Sequence, residues 1–102
     1  MVVLDFSLFP LGVGESLSTY VARSLDIIDR SGVNYRCHAM GTTLEGDFDT
    51  VLAVVKQCFE AMTADCNRVE CSIKIDYRKG YTGRLDGKIA SVEQKLGRPL
   101  RK

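Results

Sequence analysis

The spacing of apolar residues changes along this chain, and the order of those changes restricts the folds open to it. Apolar and polar residues alternate from Val2 to Phe9, from Val33 to Ala39 and from Arg68 to Tyr77, which is the period of a half-buried β-strand. A fourth, shorter strand is predicted over Thr42–Gly46, directly after Gly41. Too few residues separate it from the preceding strand for any connection but a hairpin.

Three other segments space their apolar residues every three or four positions, as an amphipathic helix does. The first predicted helix covers Leu17–Ser31. The second begins after Asp47 or Asp49 and ends by Asp65, and a final short helix covers Leu85–Leu96. The helices therefore follow the first strand, the hairpin and the last strand.

The resulting order is β-α-β-β-α-β with an appended helix, which is the ferredoxin-like pattern. We expect one α+β domain over residues 1–102. Its first two helices should cover one face of a four-stranded antiparallel sheet and leave the other face open.

Composition argues against several classes of function. The net charge of +1 does not favour a nucleic-acid partner, which usually requires a basic stripe. No apolar segment is long enough to span a membrane, and the N-terminus lacks the basic region of a signal peptide, so we expect a cytosolic protein. His38 is the single histidine and the four cysteines form no C-x-x-C pair. We therefore expect no metal site, no cofactor, and free, mostly buried thiols.

Alternation alone assigns a set of polar side chains to the open face of the predicted sheet. These residues are Asp5, Ser7, Arg36, His38, Thr43, Glu45, Ser72, Lys74 and Asp76. One interpretation is a solvated face or an ion-paired subunit interface. The other is a polar pocket, closed by a second subunit, that binds a small polar molecule.

Individual residues of this face admit two interpretations each. Glu45, two positions from Thr43, can accept hydrogen bonds from an amine or an aminopyrimidine ring, or it can be a surface partner of Lys74. His38 can titrate near neutral pH, or it can be an ordinary hydrogen-bonded strand residue. Lys74 can pair with Glu45 or Asp76, or bind an anion.

Other uses of the same topology find less support in the sequence. RNA-recognition domains stack bases on aromatic residues of the third strand, and Thr42–Gly46 contains none. Acylphosphatases of similar length need an arginine in the loop after the first strand, and Pro10–Glu15 offers an acid instead. Regulatory amino-acid-binding domains remain possible. No nucleophile motif is present, so an enzyme that acts on a phosphate or pyrimidine derivative is the least favoured hypothesis.

Several short segments together resemble the thiamine-binding-protein-like family, also called YkoF-like. They are Pro10-Leu11-Gly12, Ser18-Thr19-Tyr20-Val21-Ala22, Ser31-Gly32-Val33-Asn34-Tyr35, Met40-Gly41-Thr42-Thr43-Leu44-Glu45-Gly46, Lys74-Ile75-Asp76-Tyr77-Arg78 and Lys88-Ile89-Ala90-Ser91-Val92-Glu93. Each segment alone is a weak signal, whereas the combination extends over nearly the whole chain and is specific.

This resemblance implies a ferredoxin-like fold and a homo-oligomer, a tetramer built as a dimer of dimers. It also implies binding of thiamine or its hydroxymethylpyrimidine part, chiefly by Thr43 and Glu45. Asp5, Ser7 and Lys74 are their neighbours by alternation, and His38 completes the expected site. We therefore expect a non-enzymatic, cytosolic small-molecule binder. The alternative is a structural or regulatory oligomerisation module without a small ligand.

Overall fold

The computed structural model describes residues 1–101, and Lys102, the last residue of the predicted domain, lies outside the described residues. Residues 1–101 form four strands and three helices. They are β1 Val2–Pro10, α1 Ser18–Ser31, β2 Asn34–His38, β3 Gly41–Gly46, α2 Phe48–Thr63, β4 Val69–Tyr77 and α3 Arg84–Leu96. Among the described helices, none combines the length and apolarity that crossing a membrane requires.

The four strands form one antiparallel sheet in the order β2-β3-β1-β4. This order and the two helices between strands confirm the predicted ferredoxin-like α+β fold. The predicted and observed ends of the helices and strands agree to within two residues. This is the usual uncertainty of helix and strand ends.

The hydrophobic core lies between the sheet and the helices α1 and α2. Burial alternates strictly along β1. Leu4 faces Leu44 across the β1–β3 pair, and both side chains are fully buried. Ile28 of α1 and Met62 of α2 close the same core. Burying an aliphatic side chain of this size contributes about 1.5–3 kcal/mol relative to exposure, so this face fixes which side of the sheet the polar residues take.

The pairing of β1 with its two neighbours has unequal length. The β1–β4 ladder runs along the whole of β1, whereas the β1–β3 ladder ends where Phe6 meets Thr42. The β2–β3 hairpin turns next to this point, and a Cβ atom on Gly41 would come within 2.6 Å of the Phe6 carbonyl oxygen. Only glycine allows this approach. Residues 7–9 of β1 therefore run past the end of β3 and leave one backbone edge without a strand beside it.

The expectation that the second face of the sheet lies open is wrong at one end, because α3 packs there. The backbone N–H of Arg84, the first residue of α3, donates to Glu45 of β3. Asp76 of β4 pairs with the side chains of Arg84 and Lys88. Leu85 is buried beneath the same helix turn. No helix of residues 1–101 covers the other end of this face.

Candidate functional site

The six predicted site residues all lie on the sheet face opposite α1 and α2. They are Asp5, Ser7, His38, Thr43, Glu45 and Lys74. Asp5 is at the centre, because it is paired with Thr43 on one side and with Lys74 on the other. His38 of β2 lies at the hairpin end, paired with Gly41.

Three of these residues form one hydrogen-bonded group, here called the Asp5 cluster: Asp5, His38 and Thr43. The Thr43 hydroxyl donates to Asp5 Oδ1 over 2.9 Å, and His38 Nε2 lies 3.1 Å from the same oxygen. Within residues 1–101, Asp5 Oδ2 makes no hydrogen bond. The carboxylate is therefore fixed through one oxygen and keeps the other available as an acceptor.

The tautomer of His38 follows from its two contacts. The backbone N–H of Met40 donates to His38 Nδ1 over 3.3 Å, so Nδ1 is an acceptor and carries no proton in the neutral ring. Nε2 then carries the proton and donates to Asp5. Both ring nitrogens are engaged, and His38 acts as an orienting donor to Asp5.

Ser7 and Lys74 lie beside the Asp5 cluster without joining it. Ser7 pairs in register with Ser72, and Lys74 is the β4 residue opposite Asp5. The predicted pairing of Lys74 with Glu45 or Asp76 is wrong: no ion pair of Lys74 occurs within residues 1–101. Glu45 is out of reach because β1 separates β4 from β3, and two strand spacings amount to about 10 Å. Asp76 lies on β4 itself, and its carboxylate is taken by Arg84 and Lys88 of α3.

Glu45 is engaged by α3, with only 5% of its surface exposed. Its Oε2 accepts the backbone N–H of Arg84 over 2.6 Å, and the Asn34 side-chain amide lies 3.5 Å from Oε1. The first N–H groups of a helix have no partner within the helix and carry partial positive charge. Glu45 therefore acts as a distant cap for α3 and holds it against the sheet.

Asp76 forms a second anchor for α3. Its carboxylate accepts hydrogen bonds from Lys88 and Arg84, and these bonds lower the pKa of Asp76 to about 2. The Arg84 side chain is mostly buried, and one of its terminal nitrogens, Nη1, is buried with no hydrogen-bond partner within residues 1–101. Sequence reasoning missed both Arg84 and Lys88, because nothing in their local pattern indicates that α3 lies on the sheet.

We expect the substitution Asp76→Asn to reduce the pH dependence of stability in acid. The pKa of Asp76 falls from 3.8 to about 2 on folding. Its ionised form therefore stabilises the native state above about pH 4, and this contribution is lost as the pH falls through about 2. Urea unfolding between neutral pH and about pH 2 measures the free-energy difference between wild type and variant. That difference should be largest at neutral pH and shrink towards zero in acid.

A matched control for this experiment is Glu15→Gln, which changes an exposed acid in the loop after β1. The free energy of unfolding of this variant should differ little from that of wild type throughout the pH range. If Asp76→Asn changes the free energy of unfolding by the same amount at neutral pH and at about pH 2, Asp76 does not have a lowered pKa in the folded protein.

A cavity of about 320 Å³ lies at the hairpin end of the sheet and meets the Asp5 cluster at His38, which lines it. It lies between the first half of α1, the part of β1 that runs past β3, and the β2–β3 turn. Its wall is mainly apolar, with Leu17, Val21 and Met40 among the lining residues, and it shares Ser7 and His38 with the predicted site. Sequence reasoning predicted that α1 covers one face of the sheet and did not find this cavity.

Residues 4–93 match the sequence profile of a family described as thiamine-binding protein. A UPF0045 protein of Mycobacterium bovis is 40% identical over 99 residues, which cover 96% of this chain and 97% of that protein. A Methanocaldococcus jannaschii protein of known structure is 34% identical, with a TM-score of 0.84 and coverage of 91% of this chain and 96% of the other.

A Thermotoga maritima structure has the same fold, with a TM-score of 0.76, 23% identity and coverage of 89% of this chain and 97% of the other. The name of that protein proposes a role in thiamine biosynthesis or salvage. At this identity the likeness concerns the fold alone. The family profile and the Mycobacterium relative, in contrast, extend over nearly the whole chain. The chain belongs to the thiamine-binding protein family.

Proposed function

We propose that this protein binds a small aminopyrimidine, thiamine or its hydroxymethylpyrimidine part, at the Asp5 cluster and the adjoining cavity. Family membership supports a small-molecule ligand. The choice of ligand rests on one observation in particular: Asp5 is held through Oδ1 by two donors and keeps Oδ2 as an acceptor.

The chemistry of an aminopyrimidine suits this carboxylate. The exocyclic amino group donates hydrogen bonds, and a bond to an ionised acceptor is shorter and stronger than one between neutral groups. Because His38 and Thr43 already fix the carboxylate, little side-chain freedom is lost when a ligand binds. Thiamine also carries a positive charge on its thiazolium ring, which favours an anionic site.

The cavity supplies the surface that such a ring needs. Its volume of about 320 Å³ falls at the lower end of the range of about 300–1,000 Å³ typical of ligand pockets. Apolar side chains of α1 and Met40 can contact the ring faces, while Ser7 and His38 offer polar groups in the lining. The backbone edge of residues 7–9, which has no β3 partner, adds further donors and acceptors.

The proposal gives the six predicted residues different tasks. Asp5 accepts from the ligand, His38 and Thr43 hold Asp5, and Ser7 lines the cavity. Lys74 lies beside the site, as the β4 residue opposite Asp5. Glu45 is placed outside direct contact, because α3 already occupies its carboxylate.

The same proposal describes a cytosolic binding protein without a catalytic step, which works as a homo-oligomer. Binding rather than turnover is supported by His38, whose two ring nitrogens are both engaged and so are not poised to accept a proton from a substrate. The oligomer is supported by the family resemblance in the sequence. Light scattering on the purified protein measures its subunit count.

Isothermal titration calorimetry with thiamine and hydroxymethylpyrimidine tests the ligand. We expect wild-type protein to bind at least one of them, and Asp5→Asn to bind at least about 10-fold more weakly. The loss corresponds to a charge-assisted hydrogen bond of about 1.5–3 kcal/mol. Asparagine keeps the shape of the side chain and removes its charge, so the measurement isolates the carboxylate.

Asp26→Asn is the matched control, because Asp26 is an exposed carboxylate of α1 that pairs with Arg30. It should leave the affinity unchanged. No heat with either compound at millimolar concentration, in a protein shown to be folded and oligomeric, would reject the ligand and favour an oligomerisation module. Equal affinity of wild type and Asp5→Asn would reject the site.

A further inference from the structure

Strand β4 forms one edge of the sheet and has no strand beside it on its outer side. It is nine residues long and contains neither proline nor glycine. Natural proteins usually protect such an edge with a short strand, a proline, a bulge or a covering element, since its free N–H and C=O groups attract another strand. Within residues 1–101 no element covers the outer edge of β4.

Apolar side chains lie uncovered along the same edge. On the helix-side face of β4, Ile73 and Ile75 are 45% and 40% exposed, and Tyr77 is 63% exposed. Phe59 of α2 is exposed beside them. A groove lined by Leu52, Val55, Lys56, Phe59, Cys71 and Ile73 separates α2 from β4. Removing this surface from water is favourable, and a neighbouring strand with its own apolar face would do so.

The opposite edge of the sheet does not offer the same opportunity. Strand β2 has only five residues. Its side chains are already engaged: Arg36 pairs with Asp86 of α3, and the Tyr35 hydroxyl donates to Asp29 of α1. The edge available for pairing is therefore β4.

The charges on β4 select the register of a symmetric pair. In antiparallel pairing, directly opposite residues project from the same face. A two-fold axis normal to the sheet therefore lies midway between the two copies of one residue, and each possible axis is named by that residue. An axis through Ser72 places Glu70 of each copy opposite Lys74 of the other. Within residues 1–101 neither Glu70 nor Lys74 has an ion-pair partner. This register gives both of them one.

Neighbouring registers are less favourable. An axis through Ile73 sets Glu70 against Asp76, and axes through Glu70 or Lys74 set each of these residues against itself, which is destabilising. An axis through Ile75 sets Lys74 against Asp76, but Asp76 already pairs with Lys88 and Arg84. That axis pairs only residues 73–77 of β4, whereas the Ser72 axis pairs residues 69–75.

We infer that a second copy of this chain binds along β4 as an antiparallel strand, with the two-fold axis at Ser72 and reciprocal Glu70–Lys74 pairs. The inference rests on the homo-oligomer of the proposed function and specifies its interface. It does not depend on the ligand. The two sheets become continuous, and Ile73 of one copy packs beside Cys71 of the other on the helix-side face.

Charge reversal tests this register directly. Light scattering or sedimentation should show that Glu70→Lys and Lys74→Glu each weaken dimerisation through β4 at least 10-fold, because each creates two like-charge pairs. An equimolar mixture of the two variants should recover the dimer, since every pair in the mixed species is again of opposite charge. The double variant should also recover it. Circular dichroism verifies that each exposed-site variant remains folded.

The outcomes separate this inference from the proposed function. A wild-type protein that is monomeric at tens of micromolar would overturn both the homo-oligomer and the β4 pair. An oligomer in which neither variant has an effect would overturn the β4 pair alone. Weakening by Lys74→Glu without weakening by Glu70→Lys would move the axis to Ile75 and overturn the Ser72 register. An oligomer that forms through β4 but does not bind thiamine would overturn only the proposed ligand and leave the β4 pair standing.

Discussion

Truncating Leu44 to alanine should lower the free energy of unfolding by about 2–5 kcal/mol, the range for large-to-small changes in a core. Leu44 is fully buried, faces Leu4 across the β1–β3 ladder, and packs towards α1 and α2. Its removal leaves a cavity at the centre of the only core cluster in residues 1–101. Urea unfolding followed by circular dichroism measures the loss.

Thr43→Ala is the matched comparison, because Thr43 is the preceding residue of β3 and projects from the other face. Its hydroxyl donates to Asp5 and its side chain is half-buried. The expected loss is only about 1 kcal/mol, the net contribution of one hydrogen bond. The two residues are adjacent in sequence, so the difference between their losses of unfolding free energy shows that they project from opposite faces of β3. Equal losses, or a larger loss for Thr43, would contradict the assigned face of β3.

The elements of the fold were predictable because their apolar spacing is regular. Apolar residues occupy every second position of β1 and of β4, and α2 places its apolar residues on one stripe. Such patterns determine both the type of an element and its buried side. For this reason alternation alone assigns Glu45 and Lys74 to one face of the sheet.

Pairwise contacts on that face depend on strand order and register, which alternation does not contain. Lys74 pairs in register with Asp5 because β4 lies beside β1, and Glu45 lies on the far side of β1. The Asp5 cluster formed because β1, β3 and β2 are successive neighbours. Three residues of the predicted set therefore meet, while the predicted Lys74–Glu45 pair does not.

The position of α3 and the cavity beyond β3 were the least predictable features. An amphipathic stripe shows that α3 must cover something, but Arg84 meets Glu45 across 39 positions of sequence, and no local signal encodes that contact. The cavity exists because the β1–β3 ladder stops at Thr42 while β1 continues. Both features are properties of the assembled sheet.

Replacing Glu45 by alanine should lower the free energy of unfolding by about 3 kcal/mol. The variant leaves the partly buried N–H of Arg84 without its acceptor, a penalty of about 1–3 kcal/mol. It also removes a negative charge from the N-terminus of α3, which contributes about 0.3–1 kcal/mol. Because these contacts hold α3 to the sheet, amides of α3 should exchange with solvent faster than those of α1 and α2 in the same variant.

Glu45→Gln supplies the comparison, since glutamine keeps an oxygen that can accept the Arg84 N–H and loses only the charge. It should retain most of the stability and of the α3 protection. The pair of variants also separates anchoring from ligand contact. If Glu45 only anchors α3, Glu45→Gln binds an aminopyrimidine as wild type does, whereas direct contact lowers its affinity without changing exchange in α3. Unchanged exchange and stability in Glu45→Ala would show that α3 is held by Asp76, Arg84 and Lys88 alone.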